Sequence, residues 1–340
     1  MSTTNTITQT IQILSIGKVS RDFIIPFRGK PVSDIPGGSA LYCAVGAAIW
    51  KKDRIGVVAR VGNDYPFSIL DSLTSYNIDL RGVRILPRPL DVRAFHSSIN
   101  KYSSRAEPIS HYSNQNFDFP RVLLGYKIQV PLREPRKTNT SISKMDFPPD
   151  YLQASGAHIC SSDGFSQVLI ATLLQTYSLG IITMHISDIE LDIVKSEQFI
   201  STLNNLTCIM INTQALKKFI GSDSDDRSAL IKGAARLGSE LVVILLGNQG
   251  RILLDNKSGK KWFIPLYPVD DSHTVGIDDS FCGGFVTALR FNYDPLESVI
   301  YGAISASIVS QGIGLEYAFH SSPEFLNARV KRLRGRIRKI

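Results

Sequence analysis

Short, mostly apolar stretches separated by helical patterns restrict the fold of this chain more than any other feature. Ala157 to Ser162, Gly180 to Ser187, Cys208 to Asn212 and Leu241 to Gly247 are of strand length. A strand with one wet face alternates apolar and polar residues, whereas runs like these belong to strands covered on both faces. Ile11 to Gly17 and Ile55 to Gly62 read as two earlier strands. Ser39 to Trp50 reads as a helix apolar on most faces, hence buried, and a further helix is expected after Pro66. Ser166 to Leu179 has a helical pattern, with Gly180 placed as its C-terminal cap. Gly250 to Asn256 and Lys261 to Leu266, joined by Lys257-Ser258-Gly259-Lys260, predict a hairpin. Asp279 to Phe291 and Pro295 to Gln311 predict two long helices. Alternation of this kind predicts an α/β fold, a doubly wound and mostly parallel sheet with helices on both faces.

Composition narrows the remaining classes. With 340 residues, 43% of them apolar, the chain is long enough to bury a core as one large or two modest domains. The longest strand-like apolar run, Leu241 to Leu246, falls far short of the ~18 residues of a membrane helix, so no membrane span is expected. Met1 to Thr10 is Ser/Thr-rich and uncharged, unlike a secretory or transit segment, and reads as the frayed end of a cytoplasmic protein. Cys43, Cys160, Cys208 and Cys282 lie far apart in apolar surroundings without CxxC spacing, which predicts buried free thiols. The six histidines are equally scattered, so no metal ligand is assigned.

The net charge of +8 is a property of the tail. Arg329 to Ile340 holds seven basic residues and no acid, which leaves +1 for the rest of the chain. Ser322-Pro323-Glu324 has the makings of a helix start, and Val330, Leu333, Ile337 and Ile340 recur at helical spacing. Residues 321–340 are therefore expected to form an amphipathic helix, docked by its apolar stripe with a solvated basic face. The competing use of the tail is to hold phosphates of nucleic acid or an anionic surface. No aromatic residue interleaves the cations, which argues against single-strand stacking. Lys101 to Pro149 breaks the α/β pattern, being rich in Ser, Asn, Pro, Arg and Tyr, and reads as a lid or a long surface excursion.

Chemistry concentrates in His273-Thr274-Val275-Gly276-Ile277-Asp278-Asp279-Ser280-Phe281-Cys282-Gly283-Gly284-Phe285, a turn feeding a glycine-containing helix. Free amides at a helix N-terminus attract anions. Asp278 and Asp279 either cap that helix or include a base that accepts a proton while the amides hold developing charge. Asp22, after the first strand, is equally a turn residue or a ligand for substrate hydroxyls. Neither a Gly-x4-Gly-Lys-Ser/Thr phosphate loop nor a Gly-x-Gly-x-x-Gly dinucleotide fingerprint occurs.

The 273–285 segment resembles the C-terminal signature of the ribokinase-like, PfkB-type carbohydrate kinases, Asp-Thr-Thr-Gly-Ala-Gly-Asp-Ser-Phe followed by small residues. Asp279 falls on the family's catalytic base, and Gly276, Ile277 and Asp278 fall on its anion hole. Gly17 and Asp22 fit the Gly-x4-Asp whose acid binds substrate hydroxyls. Gly37-Gly38 fits the diglycine hinge under the lid, Val61-Gly62-Asn63-Asp64 fits the next Gly-x-Asp, and Leu246-Gly247-Asn248-Gln249-Gly250 resembles the nucleotide loop. The similarity spans residues 11 to 315. It implies a kinase domain over 11–320, with a small β lid contributed by about 18–36 and 91–130.

Five positions depart from the family's pattern. Asn212-Thr213-Gln214-Ala215 lacks the acid of Asn-x-x-Glu, Asp278 replaces a glycine of the anion hole, and His273 replaces the opening Asp, with Asp270 and Asp271 just upstream. Tyr42 stands where an Asn follows the diglycine, and Leu245 replaces the nucleotide-loop Thr. The resemblance implies an ATP-dependent kinase acting with Mg²⁺ on a hydroxyl of a small sugar, polyol or nucleoside. Asp22, Gly37, Gly38 and Tyr42 would then face substrate, and Asn212, Gly247 and Gly250 the nucleotide. The departures leave a second expectation, a catalytically degenerate binding or regulatory protein on the same fold. Arg93 is placed to reach a substrate anion from the lid, or is simply solvated. Lids of the family either pair into a homodimer or close over a monomer.

Overall fold

The computed structural model describes residues 10–100, 103–105, 108–128, 137–187, 197–269 and 273–340. Strands β1 (Ile13–Ile16), β2 (Ser20–Ile25), β3 (Val32–Gly37), β4 (Ile55–Gly62), β5 (Ile78–Leu86), β6 (Arg93–Asn100) and β7 (Ser103–Arg105) precede the long break in the pattern. β8 (Gly156–Ile159), β9 (Ile181–Ile186), β10 (Cys208–Asn212), β11 (Leu241–Leu245), β12 (Arg251–Asp255), β13 (Lys261–Ile264) and β14 (Arg338–Lys339) follow it. Ten of these form one sheet in the order β14-β13-β12-β11-β10-β9-β8-β1-β4-β5. It is parallel from β5 to β11 and antiparallel from β11 through the hairpin to β14.

The apolar runs behave as their composition predicts. Residues of β9, β10 and β11 are almost all buried because helices cover both faces. α1 (Ser39–Ala48), α7 (Ile277–Asn292), α8 (Pro295–Val309) and α9 (Pro323–Arg334) lie on one face, sharing a core with Ile13, Val57 and Val243. α3 (Gly164–Thr176), α4 (Glu197–Asn204), α5 (Thr213–Ile220) and α6 (Arg227–Ala235) lie on the other, with Leu14, Val58 and Val242. Adjacent residues of one strand thus feed opposite cores, as the two-residue period of a strand requires. From β1 the chain runs outward to β4 and β5, then returns to β8 on the other side of β1. The carboxyl ends of β1 and β8 therefore flank a topological switch point, where α/β sheets open a crevice.

Above that crevice stands a second sheet of four strands in the order β3-β2-β6-β7. Its small core unites Phe23, Ile25 and Phe95 with Tyr112 of α2 (Ile109–Asn114) and Leu123. Further on, the Lys101–Pro149 segment is pinned to the main sheet. Asp146 is buried and accepts from Arg60 at 2.9 Å and Arg84 at 3.2 Å. One segment thus serves both as lid filling and as an anchored excursion.

Several local expectations are corrected. The helix after Pro66 is a 3₁₀ helix, Phe67–Tyr76. Gly180 does not cap α3; Ser178 takes the left-handed conformation there at φ 55°, and Gly180 leads directly into β9. The terminal helix stops at Arg334, and Arg338–Lys339 leave it to pair with Phe263 and Trp262 at the sheet edge. Val330 and Leu333 dock as expected, but Ile337 and Ile340 lie beyond the helix and Ile340 is exposed. The basic face is only partly solvated, since Arg329 is buried and donates to Ser307 Oγ at 2.8 Å and Gln311 Oε1 at 2.5 Å. All four cysteines are free and buried. Asp270 and Asp271, and the stretch 1–9, lie outside the described residues. Among the described residues no helix is long and apolar enough to cross a membrane.

α1 and α7 cross almost backbone to backbone. A Cβ on Gly46 would fall 2.1 Å from the Ser280 carbonyl oxygen, and one on Gly283 would fall 1.9 Å from that of Cys43. Gly46→Ala and Gly283→Ala each add helix propensity, yet overpacking should dominate. Each is expected to lower unfolding free energy by about 2 kcal/mol or more in denaturant titrations.

Candidate active site

Two cavities meet at the N-terminus of α7. The first, of about 330 Å³, opens at the switch point under the lid and is lined by Asp22, Gly38, Tyr42, His96, Gly276 and Asp279, among others. The second, of about 350 Å³, is bordered by Gly247, Arg251, Tyr267, Thr274, Ile277 and Asp278. The turn from Val275 to Asp279 is the partition between them.

Local sequence explains how each side chain arrives there. Strand alternation in β2 sends Phe23 and Ile25 into the lid core and turns Asp22 toward the first cavity. Its carboxylate lies against Gly37, where a Cβ would come within 2.0 Å of Oδ2, so only glycine fits. Gly38 holds φ at 98° against the Lys18 carbonyl and precedes α1. Gly276 takes φ 74° with the Tyr42 ring packed where a Cβ would sit. Tyr42 thus supports the underside of the α7 turn, with its buried hydroxyl beside the Asp22 carboxylate. α7 has no side-chain cap, so the amides of Ile277, Asp278 and Asp279 have no partner within the helix.

The charges are unevenly matched. Asp22 accepts from Ser20 Oγ at 2.5 Å, while its Oδ2 has no hydrogen bond and stands 4.0 Å from His96 Nε2. Burial lifts its pKa above the ordinary carboxylate value, only partly opposed by His96 and the hydroxyls of Ser20 and Tyr42. Asp279 faces the first cavity with Oδ1 3.6 Å from His185 Nδ1. Asp278 faces the second, where the guanidinium of Arg251, itself 3% exposed, approaches within 3.7 Å. Neither His185 nor Arg251 stands out in the sequence, because each meets its acid only through the sheet.

Other expected residues are placed differently. Gly247 borders the second cavity, whereas Gly250, at φ 106°, shapes the turn behind it against the Ile264 carbonyl. Asn212 borders neither cavity; it caps α5, its Oδ1 accepting from the Ala215 amide at 2.8 Å. Asp64 accepts from the Leu90 amide at 2.9 Å and fixes the loop before the lid strand β6. Arg93 lines the first cavity but is committed elsewhere. It pairs with Asp91 at 2.7 Å and donates to the carbonyls of Val122 and Leu124, fastening the lid to itself. His273 reaches the Gly312 carbonyl with Nε2 at 2.6 Å, tying the α7 turn to the end of α8, and burial lowers its pKa against the opposing pull of that carbonyl. Beneath the diglycine, Cys43, His158 and Cys160 bring ligand atoms within 4.8 Å of one another, a grouping hidden by their sequence separation.

Residues 148–320, half of the chain, match the model of the pfkB family carbohydrate kinases. The chain belongs to that family. No curated protein matches it in sequence. An E. coli protein assigned as ribokinase II, solved with ATP and Mg²⁺, is 16% identical, with 95% of this chain and 99% of that one covered at a TM-score of 0.68. Ribokinase of Thermotoga maritima is 19% identical, with 94% and 99% covered and a TM-score of 0.65. Aminoimidazole riboside kinase of Salmonella enterica, solved with its riboside and an ATP analogue, is 16% identical, with 94% and 99% covered at 0.61. At these identities the likeness establishes the ribokinase-like fold that the sequence pattern predicts.

A folded Asp22 that keeps its proton to higher pH than the unfolded chain makes stability fall as pH rises above the ordinary carboxylate range. Asp22→Asn removes that penalty. The variant should melt higher than wild type at neutral pH, with the gain shrinking toward about pH 4. A gain independent of pH would show that Asp22 ionises in the folded protein as it does in the unfolded chain.

Proposed function

We propose that this chain is a kinase that transfers the γ-phosphoryl group of ATP to a hydroxyl of a small sugar, polyol or nucleoside. The observation that carries this reading is the shared partition. One helix N-terminus presents unpartnered amides between a lidded cavity holding Asp22 and Asp279 and a second cavity bordered by a glycine turn. Substrate and nucleotide enter from opposite sides, and the reacting atoms meet at the turn. Positioning two reactants in line supplies much of the rate in phosphoryl transfer, and fixed dipoles supply the rest.

Asp22 orients the acceptor by taking a hydrogen bond from one of its hydroxyls at the oxygen that has no other partner. Asp279 accepts the proton of the attacking hydroxyl as its oxygen bonds to the γ-phosphorus. The bond from that phosphorus to the β–γ bridging oxygen breaks, and ADP leaves. The amides of Ile277 to Asp279 hold the negative charge on the phosphoryl oxygens during transfer. His185 acts as a positioning residue, keeping the Asp279 carboxylate aimed at the lidded side.

The residues also fit the nucleotide and a hard divalent cation. Gly247, open on its cavity side, admits phosphates close to the backbone, and Arg251 supplies positive charge. Asp278, with a side chain 42% exposed beside the same cavity, is the oxygen ligand available to Mg²⁺ where Ala215 leaves Asn-x-x-Glu without its acid. Mg²⁺ held there would supply positive charge against the nucleotide phosphates.

Phosphoryl transfer from Mg·ATP across a panel of sugars, polyols and nucleosides tests the reading. Turnover is expected on one class, and Asp279→Asn should lower kcat by about 10²- to 10⁴-fold while leaving nucleotide affinity nearly unchanged. Tight ATP binding with no acceptor phosphorylated would instead favour the catalytically degenerate binding protein.

A further inference from the structure

We propose that Arg251 is the phosphate-binding cation of the second cavity, held in readiness by Asp278, and that the terminal phosphates of a nucleoside triphosphate take the place of that carboxylate. The inference deepens the kinase reading and rests on the second cavity being the nucleotide side.

Arg251 opens β12 immediately after the Gly250 turn, and its side chain is directed inward at the mouth of the sheet. A buried guanidinium keeps its charge and has five N–H donors to satisfy, so a native fold normally surrounds it with acceptors. Here it has almost none. Nη2 is 3.7 Å from Asp278 Oδ1, beyond hydrogen-bond distance, and Nε is buried without any partner. Its remaining company is the Phe281 ring, 4.3 Å from Cζ to the centroid. Among the described residues no hydrogen bond is made to this side chain. The other buried arginine, Arg329, shows the contrast, with short bonds to Ser307 and Gln311.

A cation with unmet donors, nine-tenths buried and bordering a cavity under a glycine turn, is a receptor for an oxyanion. Phosphate satisfies a guanidinium with two parallel N–H···O bonds. Asp278 makes sense in the same scheme. A carboxylate at the partition repels an incoming phosphate unless a cation balances it. Arg251 balances it from behind, so the pair is neutral at rest. The long contact and the partial exposure of Asp278 leave that carboxylate free to give way. The acid in the anion hole and the arginine behind it are thus two halves of one arrangement.

The test is calorimetric binding of tripolyphosphate and of ATP, without metal, to the full chain and to Arg251→Met, Asp278→Gly and the double variant. Arg251→Met should weaken both ligands by at least about tenfold. It should melt no lower than wild type, because a buried unpaired charge has been removed; a purely structural role predicts lower melting with unchanged binding. Asp278→Gly should tighten tripolyphosphate several-fold, and the double variant should recover part of the loss. If Arg251→Met fails to fold, Asp278→Gly alone decides, since no tightening overturns the proposal. Unchanged affinity in Arg251→Met, or a wild type that binds neither ligand, overturns it as well. Tripolyphosphate binding that depends on Arg251, in a protein that phosphorylates no acceptor, would leave this assignment standing and remove the kinase reading.

Discussion

The near contact of α1 with α7 sets the relative position of the two helix starts around which the cavities are built. α1 begins at the diglycine under the lid, and α7 begins at the partition between the cavities. Because Gly46 and Gly283 let the two backbones touch, the two helix origins are fixed relative to one another with little slack. Ser305 adds a polar clasp, donating to the Gly46 carbonyl at 2.7 Å while accepting from the Trp50 indole at 2.9 Å. Close-packed interiors transmit small displacements. A shift at this crossing would move Asp279 relative to Asp22, although neither residue takes part in the contact.

Charge is handled locally throughout the molecule. Asp146 receives two arginines, Arg93 is bound within the lid, and Arg329 is buried among hydroxyl, amide and aromatic partners. The net charge written in the sequence is therefore a poor guide to available charge. Many of the arginines are already engaged, and Asp22 Oδ2 and Arg251 Nε, among the buried polar atoms left without a hydrogen bond, lie beside the two cavities. A buried polar atom without a partner is informative where it borders a cavity large enough to hold the group that would satisfy it.

The main sheet was legible because burial on both faces imposes apolar runs that nothing else requires. β4 and β10 begin and end where those runs do. Local exceptions were not legible for equally physical reasons. Ser178 can take a conformation usually left to glycine, so Gly180 misdirected the cap of α3. The amphipathic period of the tail continues into Ile337 and Ile340, yet an unpaired sheet edge offered backbone partners that a helix could not. The motif residues near α7 could be read one by one. Their partners could not, because His185 and Arg251 reach Asp279 and Asp278 across tens of residues of intervening chain, and no spacing rule spans that separation.

The two cavities draw on different stretches of the chain. Apart from the shared partition, the first is lined mostly by residues before 141, and the second entirely by residues from 247 to 310. The family match begins at 148 and so covers the second stretch while leaving the first outside it. With such a division, a substitution in one lining leaves the other untouched. The shape of the first cavity can thus change without disturbing the second, provided that the α1–α7 crossing keeps its glycines.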